Sequence, residues 1–300
     1  MAKILITGGT GMVGKRLTKC LKNDSNEVVW LSRRQNNANN VECFLWDVDN
    51  GTIDEKAFDG VDCIVHLAGA NVGGRRWTKQ YKQQLWDSRV KSTALLFEAV
   101  KKVNAPIKTF VGASAIGFYG DSGTDTCTEK SPKGTGFLAD LCQAWEGASL
   151  TFEEMGCRRA VLRLGLVLNK GEGAMKKMEL PAKMGLGSYF GNGQQYYSWI
   201  HIDDLCQMFM HAIKNDAISG VYNVVAPETV TNKAFARQLN KALGRPFIPA
   251  PLPTFAARLL MGEMADIVLN SNKVSAEKVL KTGFEFEYAE LEGALGDLYK

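Results

Sequence analysis

The segment that most constrains the fold is "ILITGGTGMVG", residues 4–14, in which an apolar run rich in β-formers passes directly into a loop with four glycines. Apolar residues at helical spacing follow, at Val13, Leu17 and Leu21. The pattern Gly9-x-Gly11-x-x-Gly14 fits the strand–turn–helix fingerprint in which backbone amides approach a pyrophosphate at a helix N-terminus. We therefore expect a dinucleotide against this loop. The alternative is a glycine turn that only packs the strand against the helix.

Five more apolar runs with strand character follow at intervals, and stretches with apolar residues at helical spacing separate them. The six runs are residues 4–7, 28–32, 43–46, 63–67, 109–113 and 160–164. This alternation is typical of stacked βαβ units and predicts an α/β fold with a doubly wound parallel sheet, a Rossmann fold. We expect a dinucleotide-binding domain over 1–165, with its sheet completed by 196–228. Residues 166–195 and 229–300 then form a smaller C-terminal substrate-binding part.

Charge and cysteine usage exclude several classes of function. The 36 basic and 32 acidic residues give a net charge of +4 and are spread along the chain, whereas a nucleic-acid site would favour a concentrated basic stripe. Seven widely spaced cysteines without a C-x-x-C pair indicate neither disulfides nor a metal site. No apolar stretch is long enough to span a membrane, and the first strand leaves no room for a signal peptide. We expect a cytoplasmic protein with a small-molecule partner.

The end of the second strand distinguishes the two common dinucleotides. Proteins that bind NAD usually place an acid there to hold the ribose 2′-hydroxyl, but this chain reads "WLSRRQ", with Ser32, Arg33 and Arg34. A guanidinium at that position can bind a 2′-phosphate in bidentate fashion, which predicts NADP as the cofactor. The alternative is a pair of solvated loop charges. The small residues of Leu67-Ala68-Gly69, after the strand at 63–67, would let the cofactor pass close to the backbone.

With these features the chain resembles the extended or atypical short-chain dehydrogenases/reductases, and within them the YfcH-type group of NAD(P)-dependent sugar-nucleotide epimerases. The resemblance rests on "TGGTGMVG", "LAGANV" with "RRW" and "DSRVKST", "ASAIGFYG", "FLADLCQAWE", "RLGLVLNKGEGAM", "GVYNVVAPE" and "GRPFIPAPLP". It implies NADP across the carboxyl edge of the sheet and a pocket roofed by the C-terminal part. The cofactor residues it implies are Gly8, Gly11, Met12 and Gly14 at the pyrophosphate, Ser32 and Arg33 at the 2′-phosphate, Asp47 near adenine, and Leu67, Ala68 and Arg89 along the ribose and nicotinamide. Arg89 could equally be a surface cation.

The usual acid/base of that superfamily, a Tyr-x-x-x-Lys pair, is missing, because no lysine lies four residues after any of the eight tyrosines. Alignment on Glu146 places Leu138 and Cys142 at the tyrosine and lysine positions. Three residues remain as candidate catalytic groups. They are Ser114, one position from the superfamily serine; Tyr119, after the fifth strand; and His201, whose unperturbed pKa suits proton transfer. For Tyr119 and His201 a structural role is the alternative.

Two functions from different classes are compatible with these residues. One is an NADP-dependent oxidoreductase or epimerase that acts on a small carbonyl or sugar-like substrate, nucleotide sugars included, beneath a glycine-rich wall at 183–193. The other is a non-catalytic NADP(H)-binding redox sensor or regulatory protein. Either a monomer or a homodimer is compatible with the sequence.

Overall fold

The computed structural model describes residues 1–35 and 40–300 and consists of a large sheet with helices on both faces and a smaller second lobe. In chain order the strands are β1 Lys3–Thr7, β2 Glu27–Ser32, β3 Glu42–Asp47, β4 Thr52–Ile53, β5 Cys63–His66, β6 Thr109–Ala115, β7 Thr126–Cys127, β8 Arg158–Leu164, β9 Leu166–Leu168, β10 Leu186–Phe190, β11 Tyr196–His201, β12 Gly220–Val224, β13 Thr229–Thr231, β14 Ile248–Leu252 and β15 Lys273–Val274. The helices are α1 Met12–Asn23, α2 Lys79–Asp87, α3 Val90–Val103, α4 Phe137–Ala148, α5 Thr151–Glu154, α6 Met175–Lys183, α7 Ile202–Lys214, α8 Asn232–Ala242, α9 Thr254–Met261, α10 Asp266–Leu269, α11 Glu277–Leu280 and α12 Leu291–Tyr299. Short 3₁₀ helices cover Glu55–Phe58, Ile116–Tyr119 and Gly262–Ala265.

The main sheet has eight strands in the order β12-β8-β6-β5-β1-β2-β3-β4. All neighbours are parallel except β3 and β4, which pair antiparallel. The chain order reverses between β1 and β5, so loops from both halves of the sheet meet at the carboxyl ends of these strands. The doubly wound α/β fold expected from the sequence is confirmed.

The two faces of the sheet are covered by different helices, as the alternation of β1 requires. Ile4 and Ile6 pack into a core with Leu17 of α1 and Leu205 of α7. Leu5, between them in sequence, faces the opposite core with Leu96 of α3, Phe110 and Phe152. Adjacent residues of a strand point to opposite faces, so both faces of this sheet are buried and the strands read as continuous apolar runs.

The second lobe holds three small sheets, in the orders β10-β14, β13-β11-β9 and β15-β7. Only part of 196–228 completes the main sheet as expected: β12 joins it beside β8, whereas β11 lies in the separate sheet with β9. Between β8 and β9, a Cβ atom on Gly165 would be only 2.7 Å from the carbonyl oxygen of Ser198 on β11. The backbone of β11 thus approaches Gly165 so closely that only glycine leaves room for it.

Candidate functional site

The glycine loop between β1 and α1 has the geometry of a phosphate cradle. Gly8 adopts a φ of +71°, and its Cβ atom would lie 2.9 Å from the carbonyl carbon of Leu67. A Cβ atom on Gly14 would lie 2.4 Å from the carbonyl oxygen of Gly8. Gly11 is exposed, and a Cβ atom there would meet only the Gly8 oxygen, at 3.2 Å. Gly8 and Gly14 therefore allow the tight turn and the close packing, while Gly11 keeps the outer side of the loop open.

Helix α1 presents a free N-terminus at this open side. Its N-cap, Gly11, has an extended backbone and supplies no side-chain cap, and the first turn contains no acidic residue. The leading amides of such a helix lack intrahelical acceptors and carry a partial positive charge. Met12 and the residues that follow it thus offer donors for an anion such as a pyrophosphate.

A buried tryptophan, which the sequence did not reveal as part of the site, supports the loop from below. The Trp30 indole N–H donates to Thr18 Oγ1 at 3.0 Å, and that hydroxyl donates to the Gly14 carbonyl at 2.7 Å. A Cβ atom on Gly9 would lie 2.4 Å from the Trp30 indole nitrogen. Gly9 therefore allows the loop to pack on Trp30. The two hydrogen bonds that join Trp30, Thr18 and Gly14 fix the position of α1 above the sheet.

The end of β2 carries the two arginines in a setting open to an anion. Ser32 is half-buried, Arg33 and Arg34 are exposed, and the Ser32 Oγ accepts the Arg34 amide at 3.4 Å. Among residues 1–35 and 40–300, no carboxylate forms an ion pair with Arg33 or Arg34. These cations are available to a phosphate group.

Asp47, implied near adenine, already serves the turn after β3. Its Oδ1 accepts the amides of Asp49 and Asn50 at 2.9 and 3.1 Å, and its Oδ2 accepts the Asn50 side-chain amide at 2.7 Å. The hydrogen bonds from Asn50 lower the pKa of Asp47. The ionised carboxylate therefore organises the backbone of the β3–β4 turn.

The carboxyl end of β5 is fixed by a buried histidine. The hydroxyl of Thr7 accepts the Ala68 amide at 3.1 Å and contacts His66 Nδ1 at 2.7 Å, while His66 Nε2 contacts Ser92 and Thr93 hydroxyls at 3.2 and 3.1 Å. Burial lowers the pKa of His66 to about 3. The neutral ring ties β1, β5 and α3 together and sets the position of Leu67 and Ala68.

Arg89, at the start of α3, lies beside Gly69 and has no acidic partner among the residues that the structure describes. Its guanidinium donates to the carbonyls of Ala70 and Leu85, both at 3.1 Å, and lies 5.0 Å from the centre of the Trp145 ring. A Cβ atom on Gly69 would be 3.0 Å from the Arg89 Cζ atom. Burial lowers the pKa of Arg89, because the guanidinium cation is poorly hydrated at this position. Such a cation suits a polar or anionic ligand at the edge of the loop.

Two of the three candidate catalytic residues, Ser114 and Tyr119, belong to one buried polar network. The Tyr119 hydroxyl donates to Asn223 Oδ1 at 2.6 Å and accepts from Arg163 Nη1 at 2.9 Å. Arg163 also binds both oxygens of Glu146, each at 2.8 Å, and the Ser114 hydroxyl donates to Glu146 at 2.7 Å. Burial raises the pKa of Tyr119, and the Arg163 cation opposes this rise. Arg163 and Glu146 thus form a buried ion pair between β8 and α4.

His201 makes different contacts from these two residues. Its Nδ1 accepts the Asp203 amide at 3.2 Å and so caps α7, and its ring lies 4.0 Å from the ring of Tyr288. Its Nε2 is 3.7 Å from Asp297 Oδ2. Burial lowers the pKa of His201. In the described part of the chain, no hydrogen bond connects His201 with Ser114 or Tyr119.

The positions of the missing Tyr-x-x-x-Lys pair lie against the end of β6. A Cβ atom on Gly117 would be 3.3 Å from the Cβ atom of Leu138 and 3.9 Å from the sulfur of Cys142. Burial raises the pKa of Cys142 to about 11. Leu138 belongs to an apolar cluster with Trp77, Phe137 and Met261. An apolar side chain and a neutral thiol therefore stand where the superfamily has its proton-transfer pair.

Comparison with known proteins identifies the family. A model of the NAD-dependent epimerase/dehydratase family matches residues 4–225. This chain belongs to that family. A domain of unknown function (DUF1731) matches residues 252–298 of this epimerase-family chain.

Relatives cover its whole length. An epimerase family protein of Mycobacterium leprae is 37% identical over 98% of this chain and 94% of its own length. One from Staphylococcus aureus is 36% identical over 100% of both chains. The human epimerase family protein SDR39U1, solved with NADPH, is 34% identical, covers 99% of each chain and superposes with a TM-score of 0.88. The resemblance to atypical short-chain dehydrogenases/reductases is confirmed.

The described residues also contain no helix with the length and apolar character needed to cross a membrane. Within the same residues, no three His, Cys, Asp or Glu side chains gather in a way that could hold a metal ion.

Proposed function

We propose that this protein binds NADP(H) and transfers hydride between it and a small carbonyl or sugar-like substrate. The observation that carries the cofactor assignment is an uncapped α1 N-terminus together with exposed Arg33 and Arg34 after β2, which have no carboxylate partner among residues 1–35 and 40–300. The first feature fits the pyrophosphate of any dinucleotide, and the second fits the 2′-phosphate that only NADP carries. The human relative solved with NADPH supports the same choice.

The chain's own groups would hold the cofactor at three places. The Met12 amide and the open Gly11 side of the loop receive the pyrophosphate, Ser32 and Arg33 receive the 2′-phosphate, and Arg89 lies along the ribose and nicotinamide side. Bound there, the nicotinamide supplies or accepts the hydride. Leu67, Ala68 and Gly69 keep this path free of bulky side chains.

For the proton we propose Tyr119, with Arg163 in place of the missing lysine. Arg163 donates to the Tyr119 hydroxyl and is itself fixed by Glu146, which Ser114 orients. A raised pKa keeps Tyr119 protonated at neutral pH, which suits a proton donor to a carbonyl oxygen during reduction. The Arg163 cation then stabilises the phenolate that remains. Ser114 acts as a positioning residue in this arrangement, and His201 as the cap of α7.

The surroundings of Leu138 bear on the substrate. Trp77, Phe137, Leu138 and Met261 form an apolar wall where a polyhydroxylated ligand would need donors and acceptors. Gln195 and Tyr197, which follow the glycine-rich wall, both donate to the carbonyl of Val268, at 3.1 and 3.0 Å. Both features favour a carbonyl substrate with an apolar portion over a plain sugar.

A second function, NADP(H) binding without turnover, is favoured by one observation. Tyr119 is only 3% exposed, and the Tyr-x-x-x-Lys positions hold Leu138 and Cys142. A substrate oxygen would have to replace Asn223 as the acceptor of the Tyr119 proton. A protein that only senses the NADPH level needs no such exchange.

The test is single-turnover oxidation of bound NADPH by a panel of carbonyl compounds and nucleotide sugars, in wild type and in Tyr119→Phe. We expect the rate with an active panel member to fall by about 100-fold or more, the usual contribution of a general acid, with unchanged NADPH affinity. Tyr197→Phe is the matched control, because it also removes a hydrogen-bonded hydroxyl from a tyrosine in a protein core. An unchanged rate in Tyr119→Phe would remove Tyr119 as the donor. If NADPH binds but no panel member oxidises it, the sensor function replaces the enzyme.

A further inference from the structure

Cys20 differs from the other six cysteines of the chain. It lies on α1 and is half-buried, whereas Cys43, Cys63, Cys127, Cys142, Cys157 and Cys206 are buried. It packs against the apolar core that contains Cys206 of α7. Neither sulfur has a part in the proposed hydride and proton transfers. The chain thus brings together two thiols that are 186 positions apart, one of them accessible to solvent.

Ion pairs on both sides of this thiol pair fix the register of α1 and α7. Towards the helix N-termini, the Arg16 guanidinium binds both oxygens of Asp203, at 2.5 and 2.7 Å. Towards the C-termini, Lys214 Nζ donates to Asp24 at 2.8 Å. The helices therefore run in the same direction, and Cys20 and Cys206 both lie between these two ion pairs. The thiol contact is a defined feature of the helix interface.

The charges around Cys20 favour its thiolate. The hydrogen bond from Cys206 and the cations of Arg16 and Lys19 lower the pKa of Cys20 to about 7, although burial and Asp203 act in the opposite direction. The hydrogen bond to Cys20 raises the pKa of Cys206, which stays a thiol. Burial raises the pKa of Cys63 to about 12. A thiolate that is partly exposed and has a second cysteine next to it has the features of a redox-sensitive site.

We propose that Cys20 and Cys206 form a hydrogen-peroxide-sensitive thiol pair that closes to a disulfide between α1 and α7 and alters dinucleotide binding at the α1 N-terminus. In the first step the Cys20 thiolate attacks peroxide: an S–O bond forms, the O–O bond breaks, and the leaving hydroxide takes a proton to become water. The Cys206 sulfur then attacks the Cys20 sulfenic acid. The S–S bond forms, the S–O bond breaks, and the hydroxyl leaves as water with the Cys206 proton. The two sulfurs lose two electrons in total, and one peroxide is reduced to two waters.

The link to the dinucleotide follows from the position of Cys20 on α1. A disulfide holds its sulfurs about 2 Å apart, closer than any thiol hydrogen bond, so closure draws α1 towards α7. The same helix begins at Gly11 and Met12, whose backbone forms the phosphate cradle. A shift of α1 changes the position of these amides relative to Leu67 across the cradle. This part of the inference rests on the proposed function, whereas formation of the disulfide does not.

The test begins with the fully reduced protein, which is treated with hydrogen peroxide, alkylated, digested and mapped by mass spectrometry. We expect a Cys20–Cys206 linked peptide that dithiothreitol removes. Cys206→Ser should instead accumulate a Cys20 sulfenic acid that dimedone labels, and Cys20→Ser should yield neither product. Cys43→Ser, which alters a cysteine on β3, is the matched control and should behave as wild type. Absence of the linked peptide from wild type would overturn the proposal.

The second measurement is the NADPH dissociation constant before and after peroxide treatment. We expect it to change by about fivefold or more in wild type and to stay constant in Cys20→Ser. A linked peptide without a change in NADPH affinity would overturn the regulatory part. If NADPH binds neither the reduced nor the oxidised protein, the proposed cofactor is wrong, and the linked peptide still decides whether the thiol pair exists.

Discussion

Some side chains of the candidate site are exposed and available to a ligand, whereas others are buried and fix the positions of the surrounding elements. Arg33 and Arg34 are exposed and unpaired with acids in the described ranges, whereas Trp30, His66 and Arg163 are buried and hydrogen-bonded to neighbouring elements. Substitution of one of these buried residues should destabilise the fold, because it leaves a polar group in the interior without its hydrogen-bond partner. Ligand recognition and stability should therefore respond to different substitutions.

His66 provides a test of this division through pH. Its pKa of about 3 lies below the unperturbed value near 6.5, so the unfolded chain binds a proton that the folded protein rejects. The contribution of neutral His66 to the free energy of unfolding is therefore complete above the pKa of the unfolded chain, near 6.5. It is lost as the pH falls towards the pKa of the folded protein, about 3. We expect the free energy of unfolding to decrease by up to about 1.4 kcal/mol per pH unit from this group in that window.

His66→Gln keeps a donor and an acceptor for the Thr7 and Ser92 hydroxyls but does not titrate. Denaturant unfolding of both proteins at a series of acidic pH values measures the difference in slope. We expect the free energy of unfolding of the variant to fall less steeply with decreasing pH than that of wild type. Equal slopes would mean that His66 titrates normally in the folded protein.

Helix α1 takes part in both proposals, because its N-terminus forms the phosphate cradle and Cys20 lies on the same helix. An acid in the first turn of a helix usually stabilises it by about 0.3–1 kcal/mol, yet α1 has none. The absence is consistent with an N-terminus reserved for an anionic ligand.

Met12→Glu introduces a carboxylate at that position. We expect the variant to bind NADPH at least about tenfold more weakly, because the carboxylate occupies the amides and repels the pyrophosphate, while thermal stability is unchanged or higher. Lys233→Glu adds an acid to the first turn of a different helix, α8, and should leave NADPH affinity as in wild type. Equal affinities in the two variants would indicate that α1 does not receive the phosphates.

At the scale of the whole molecule, Gly165 lies where the main sheet passes into the second lobe. A Cβ atom there would lie 2.7 Å from the Ser198 oxygen and 2.8 Å from a Val225 methyl group. Gly165→Ala should therefore destabilise the protein by about 1–3 kcal/mol through overpacking. Gly147→Ala is the control, since nothing lies within 4 Å of the added atom in α4, and it should stabilise the protein by about 0.5–1 kcal/mol. A Gly165→Ala variant as stable as wild type in thermal unfolding would contradict this close approach of β11.

Some features of the whole molecule can be predicted from the sequence, and others cannot. The doubly wound sheet and the glycine cradle follow from local patterns, because strand alternation and the needs of a tight turn are read within a dozen residues. The separate sheet of β11, the Trp30 support and the Tyr119–Asn223 bond depend on contacts between distant segments, the last across 104 positions. Nothing in the residues near Tyr119 indicates that Arg163 and Glu146 surround it. The contact of Cys20 with Cys206 likewise exists only once α1 and α7 lie side by side.

The most direct test of the central claim is a calorimetric titration of NADPH and NADH into wild type and Arg33→Ala. We predict that wild type prefers NADPH and that Arg33→Ala weakens NADPH binding by an order of magnitude or more, about 1.4 kcal/mol, with little effect on NADH. Lys102→Ala, a change to another exposed cation at the end of α3, should alter neither affinity. If wild type binds the two cofactors equally, or Arg33→Ala leaves NADPH binding intact, the assignment of NADP to this site is contradicted.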